Sequence, residues 1–264
     1  MSPFKLRSMK RSKKLPLRTV LLCGSCCAAM CAQKPAVYKQ NVATVPFVGC
    51  KSDGQVGPLK APSGKSKALS ISTEMAQRLA YYKAEEGLGI LAPRGWYCFA
   101  TYGSNGSNLY VSPQPISSSG LFSDSWKGFT GPVIQLSVSV GDTSGRFEVA
   151  KTIARVFPAH KDFVQQVIAE GIEPASSFQL EPFPADKLNY RSKEIVEYET
   201  PANAKGIGTA SILLTNSSPI RGVAILSGET PDLLFLAIRF SPNQSDLSAT
   251  IIQCFESEAA QLKE

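Results

Sequence analysis

The sequence predicts an α+β fold, an antiparallel sheet of about six or seven strands flanked by about four helices. β-rich stretches separated by short polar turns dominate the chain. The segment VIQLSVSV at 133–140 alternates strictly between apolar and polar residues. Only one helical block, at 146–171, interrupts the strands, whereas alternating βαβ units would place a helix after each of them.

Taken in order, residues 33–72 are punctuated by Pro35, Pro46, Gly49, Gly54, Gly57, Pro58, Pro62 and Gly64. They read as an extended arm with room for one short strand at 45–53. Thr73 then opens a helix in which Met75, Leu79 and Tyr82 recur at i, i+4 and i+7 until Gly87 and Gly89 stop the pattern. That spacing predicts about three to four turns. Residues 96–102 and 108–112 are aromatic and β-branched on either side of a Gly/Ser/Asn cluster, which predicts a hairpin. At 133–140, Ile134, Leu136, Val138 and Val140 fall on one face of a strand, and Gln135, Ser137 and Ser139 on the other. The second face is expected to be polar or lightly covered. Helices follow at 146–157, stopped by Pro158, and at 161–170, closed by Gly171. Residues 172–187 read as a long surface connection, and strands are expected at 194–199, 209–215, 221–226 and 233–240. Asp246 caps a final helix whose apolar face holds Leu247, Ile251, Phe255 and Leu262.

The N-terminal layout predicts an address. Residues 1–52 contain no Asp or Glu, and Lys5, Arg7, Lys10, Arg11, Lys13, Lys14 and Arg18 precede an apolar run at 19–32 that ends in small residues. This reads as a signal peptide over 1–32, followed by the arm at 33–72 and a single α+β domain at 73–264. The run of about 14 residues is short against the roughly 20 of a membrane-spanning helix. A lipid anchor at Cys26 is the alternative to free export, although Leu22 stands one position too early for that pattern. A mitochondrial transit peptide would be Arg-rich and amphipathic, unlike this Lys-rich leader. The expected location is therefore periplasmic or extracellular, with membrane contact only through an uncleaved or lipidated leader.

Removing the leader changes the composition. The chain has 28 Lys+Arg against 21 Asp+Glu, and the seven excess charges all lie within 1–32, leaving 21 of each. A formally neutral domain gives no electrostatic case for nucleic acid. Four of the seven cysteines leave as well, so only Cys50, Cys98 and Cys254 remain for an oxidising compartment. Three pairings are open. Cys50 with Cys98 is favoured, because Cys254 falls in the last helical pattern and suits burial as a small hydrophobe.

Catalytic motifs are scarce. His160 is the one histidine, at the junction of two helices, and the mature chain has no H-E-x-x-H or C-x-x-C, so neither a metal nor another cofactor is expected. The mature chain also lacks G-x-S-x-G and S-x-x-K, and Ser104 and Ser107 suit a hairpin turn. Gly87, Gly89 and Ala92 match G-x-G-x-x-A, yet they follow a helix and precede Pro93, the reverse of a dinucleotide-binding context. Glu194, Glu197 and Glu199 read as solvated charge, and Asn105, Asn216 and Asn243 begin N-x-S sequons. The residues singled out for a surface or groove are Trp96, Tyr97, Tyr102 and His160. Trp96, Tyr97 and Tyr102 lining an open cleft beside His160 or a carboxylate would point to an enzyme, and a flat, exposed polar sheet face to binding.

The segments FVGCKSDGQ at 47–55 and APRGW at 92–96 resemble those of an uncharacterised family of exported bacterial proteins. That resemblance implies export and no particular activity. A looser likeness, in the PRGW entry at 93–96 and the strand-to-helix run at 233–255, is to PsbP-like proteins and implies an antiparallel sheet flanked by helices. The expected function is non-enzymatic binding of an unidentified partner in the envelope or outside the cell. The alternative is a secreted hydrolase with a serine or cysteine nucleophile in an unrecognised motif.

Overall fold

Pro46 and Cys50 break what the sequence suggested as one strand at 45–53 into separate pieces. They are β1 (Val42–Val45), β2 (Phe47–Gly49) and β3 (Lys51–Gly54), and β4 (Lys67–Ser70) follows. The computed structural model describes residues 42–261, so the leader at 1–32, the first part of the arm and Leu262 lie outside the described residues.

The helix expected from Thr73 to the Gly87 stop is shorter. α1 (Thr73–Arg78) is capped by Ser72, whose hydroxyl accepts from the Met75 N–H, and the chain then becomes β5 (Leu79–Lys83). Leu79, Ala80, Tyr81 and Tyr82 are all buried in that strand, so apolar residues are needed at every position and their spacing fits a helix by coincidence. Arg94 enforces the break by donating to the carbonyls of Ala76 (2.6 Å) and Leu79 (2.9 Å) at the helix end.

β6 (Ile90–Pro93) leads into the expected hairpin, β7 (Tyr97–Gly103) and β8 (Gly106–Ser112). Gly106 turns it at φ 136°, where a Cβ would lie 1.8 Å from the Val138 carbonyl oxygen of the next strand. A one-turn helix, α2 (Ser118–Leu121), precedes β9 (Val133–Ser139), and α3 (Arg146–Val156) and α4 (Lys161–Ala169) match the expected helices. The connection expected at 172–187 ends in β10 (Lys187–Tyr190), and β11 (Ile195–Thr200) follows. Residues 209–215, expected as a strand, follow a 3-10 turn at Ile207–Thr209 and hold only a single bridge from Leu213 to Phe129, because Gly206 and Gly208 start a tight loop there. β12 (Ile220–Ser227), β13 (Asp232–Arg239) and α5 (Leu247–Gln261) complete the element order.

The architecture is α+β. Its main sheet has eight strands in the order β10-β11-β12-β13-β9-β8-β7-β3, beside a three-stranded sheet β2-β5-β6 and a pair β1-β4. Among the described residues, five α-helices and this strand count exceed the expected four and six or seven. The excess arises because short arm strands pair with partners distant in sequence: β2 runs parallel to β5, and β3 parallel to β7. The other main-sheet pairings are antiparallel.

Helices pack against both faces of the sheet. Val149, Ile153 and Val156 of α3 and Val164 and Val167 of α4 form one core with Val196, Ala224, Phe235 and Ala237. On the other face, Leu247, Ile251 and Phe255 of α5 join Leu79, Ile90 and Leu91 against Leu136, Val223 and Leu234. Full burial of each such side chain contributes about 1.5–3 kcal/mol. Cys50 and Cys98 form a disulfide, with Cα atoms 5.4 Å apart, which joins the residue before β3 to β7. No helix among the described residues is long and apolar enough to cross a membrane.

Candidate functional site

The α3 layer does not close over the whole sheet. Strand alternation sends Gln135, Ser137 and Ser139 of β9 toward that layer, and the neighbouring β8 adds Asn108 and Tyr110 through the pairs Asn108↔Ser137 and Tyr110↔Gln135. α3 departs from the sheet above them, and the loop at 207–212 closes the side. The result is a cleft of about 430 Å3 with Phe235, Leu233 and Ile212 as apolar walls. Its size falls within the range usual for small-molecule sites.

Its floor is a line of hydrogen bonds running in one direction. Ser211 Oγ donates to Gln135 Oε1 (2.9 Å), Gln135 Nε2 to Ser137 Oγ (2.8 Å), and Ser137 Oγ to Asn108 Oδ1 (2.6 Å). Asn108 Nδ2 points on to Thr101 Oγ1 at 3.4 Å. Gln135 is only 3% exposed, so this line holds its amide in one orientation. Burial pushes the Tyr110 phenol up to about 12, with Thr101 opposing the shift.

Charge enters from the helix side. Glu148 and Lys151 sit on α3, and Glu173 follows α4. Lys151 Nζ reaches both Glu173 oxygens, at 3.1 and 3.0 Å. The Glu148 side chain is open to solvent from the cleft mouth yet surrounded by protein below. That partial desolvation raises its pKa; Lys151 opposes the shift and Glu173 adds to it.

No family model matches the chain, and no curated protein or solved structure is significantly similar to it.

The raised Glu148 pKa has a measurable sign. The folded state holds this proton more tightly than the unfolded chain, so the associated stability is fully present below the ordinary carboxylate pKa and lost as pH rises through the raised value. Glu148→Gln is therefore expected to raise Tm at about pH 7 and to leave it unchanged near pH 3. Thermal melts at the two pH values measure this; an unchanged Tm at neutral pH would contradict it.

A larger cleft of about 590 Å3 lies between α5 and the β10–β11 edge. Its charges satisfy one another: Lys187 and Arg221 each reach Glu199 at 2.8 Å, and Arg191 lies 3.6 Å from Glu197. Asp246 at its rim is likewise engaged, by Arg78, so this cleft presents fewer charged groups waiting for a ligand.

The four residues singled out in the sequence are dispersed. Trp96 packs edge-on against Phe240 at 5.7 Å, and Tyr97 stands 52% exposed on β7. Tyr102 points to the opposite face of β7 and donates to the Gly57 carbonyl at 2.6 Å, anchoring the arm. His160 lies between α3 and α4, edge-on to Phe157 at 6.4 Å. None of the four lines either cleft. Cys254 is half-buried, and burial pushes its thiol up to about 11. The polar face at Gln135, Ser137 and Ser139 was visible as alternation, whereas Asn108, Glu148, Lys151 and Ser211 carry no local motif.

Proposed function

We propose that this is an exported, non-enzymatic binding protein whose ligand site is the cleft between α3 and the polar face of β8 and β9. The observation that carries the reading is the ordered line from Ser211 through Gln135 and Ser137 to Asn108, held at the base of a concave, apolar-walled space. Preorganised amides and hydroxyls recognise polar groups without rearrangement, which lowers the entropy lost on binding.

The same line supports binding over hydrolysis. The hydroxyls of Ser137 and Ser211 donate to amide oxygens, which are too weakly basic to take a proton and create a nucleophile. Export rests on the acid-free leader and accords with a disulfide, which persists in oxidising compartments.

Screening small polar metabolites and saccharides by thermal shift tests the site. A ligand at about 100 times its Kd stabilises by about 2.7 kcal/mol, or roughly 5–10 °C for a domain of this size. Ser137→Phe, which fills the cleft, is expected to abolish the shift while the unliganded protein stays folded. An undiminished shift in that variant would place the ligand elsewhere.

A further inference from the structure

We propose that the ligand of this cleft carries a primary ammonium group that pairs with Glu148, while its hydroxylated body lies along Gln135 and Ser137. The inference rests on the cleft being the binding site and adds the chemical class of what it binds.

The argument is one of unmatched charge. Three charged side chains reach the cleft, and two of them, Lys151 and Glu173, neutralise each other through both carboxylate oxygens. The next cation along α3, Arg146, is also engaged, donating three hydrogen bonds of 2.6–2.9 Å to Glu170. Among the described residues Glu148 makes no ion pair and accepts no hydrogen bond from a side chain. Among the described residues the cleft therefore holds one net negative charge, at its solvent-open mouth, with no ion-pair partner of its own because Lys151 is committed to Glu173. A ligand ammonium at that point would form a charge-assisted hydrogen bond, stronger than its neutral counterpart.

Hydrogen-bond capacity fixes the rest of the ligand. The Gln135 and Asn108 amides each keep an N–H beyond those used in the line, and these require acceptor oxygens. Ser211 Oγ, the start of the line, keeps lone pairs that require a donor. Hydroxyl groups supply both functions. A neutral polyol would serve the amides and leave Glu148 unpaired, and an anion would be repelled by it. A divalent metal ion draws on several carboxylate or carbonyl oxygens, and only one carboxylate here is free.

The test titrates isotope-labelled protein with matched probes, glucosamine against glucose and 1,4-diaminobutane against 1,4-butanediol, following the amide signals of Asn108, Gln135 and Ser137 by NMR. The amines are expected to move these signals and to bind at least about tenfold more tightly than their neutral partners. Glu148→Gln should erase that advantage. Glu173→Gln should reduce it by freeing Lys151 to neutralise Glu148, a result that loss of folding would not mimic while the remaining spectrum is intact. Equal affinity for amine and neutral probes, or an advantage that survives Glu148→Gln, overturns the ammonium assignment and leaves the cleft as a site for neutral ligands. No movement of these signals with any of the four probes overturns the assignment and the cleft reading together.

Discussion

Replacing Arg239 by alanine is expected to destabilise the protein by about 3 kcal/mol, a fall in Tm of roughly 6–12 °C. Arg239 is 1% exposed at the end of β13 and faces no carboxylate among the described residues. Its guanidinium donates to the carbonyl of Phe129 at 3.1 Å and to that of Leu214. Those two residues belong to segments that are also joined directly: Phe129 N–H donates to Ile212 O at 2.7 Å, Leu214 N–H to Phe129 O at 2.9 Å, and Asn216 Nδ2 to Thr130 O at 2.5 Å. Charged hydrogen bonds contribute about 1.5–3 kcal/mol each, and the desolvation that lowers the Arg239 pKa offsets part of the pair. Alanine leaves Leu214 O without this donor and opens a cavity. Lysine offers one point of attachment where the fork made two, so Arg239→Lys should fall between wild type and alanine. Because Ser211 and Ile212 line the cleft, the fork also braces its wall. Urea or thermal unfolding of Arg239→Ala, Arg239→Lys and Arg239→Met measures the effect. A methionine variant as stable as wild type would show that burying the charge costs as much as its hydrogen bonds return, and the clamp would be discarded.

Loss of the Cys50–Cys98 disulfide is expected to cost about 2–4 kcal/mol. The bond closes a separation of 48 residues, for which the chain-entropy model gives about 4 kcal/mol, an upper figure that strain and residual structure reduce. Cys50→Ser with Cys98→Ser, melted beside the oxidised protein, should unfold roughly 4–16 °C lower. Equal melting temperatures would show that β3 is held by its hydrogen bonds alone. Thiol titration provides a control. With its thiol near 11, Cys254 is about 0.1% thiolate at pH 8, so the native, oxidised protein should react slowly and the unfolded protein promptly.

The elements legible in the sequence were those whose pattern matches a local stop. α3 ends where Pro158 forbids its continuation, the β7–β8 hairpin turns at a Gly/Asn/Ser cluster, and β9 alternates with one face apolar. The illegible elements depend on partners far away. Nothing in LAYYK distinguishes a helix turn from a strand enclosed by β2 and β6, and the arm strands exist because β5 and β7 offer them edges. The site divides along the same line. Its floor follows from the polar positions of β9, but Glu148 looks like any acid in the first turn of a helix, favoured there by the helix dipole. Only the placement of α3 over Ser137, and of Lys151 on Glu173, isolates it.

The order of the main sheet gives its outer strands a protective role. Both terminal strands, β10 and β3, have four residues and carry a lysine, Lys187 or Lys51, features that discourage a sheet edge from recruiting another. Behind β3 lies β7, seven residues long and bearing Tyr97, Phe99 and Tyr102. If reduction releases β3, that longer aromatic strand becomes the rim, with unpaired N–H and C=O groups able to template a second copy of the chain. A reducing environment would then do more than soften the fold: it would turn the released sheet edge into a seed for aggregation, with losses that grow with protein concentration.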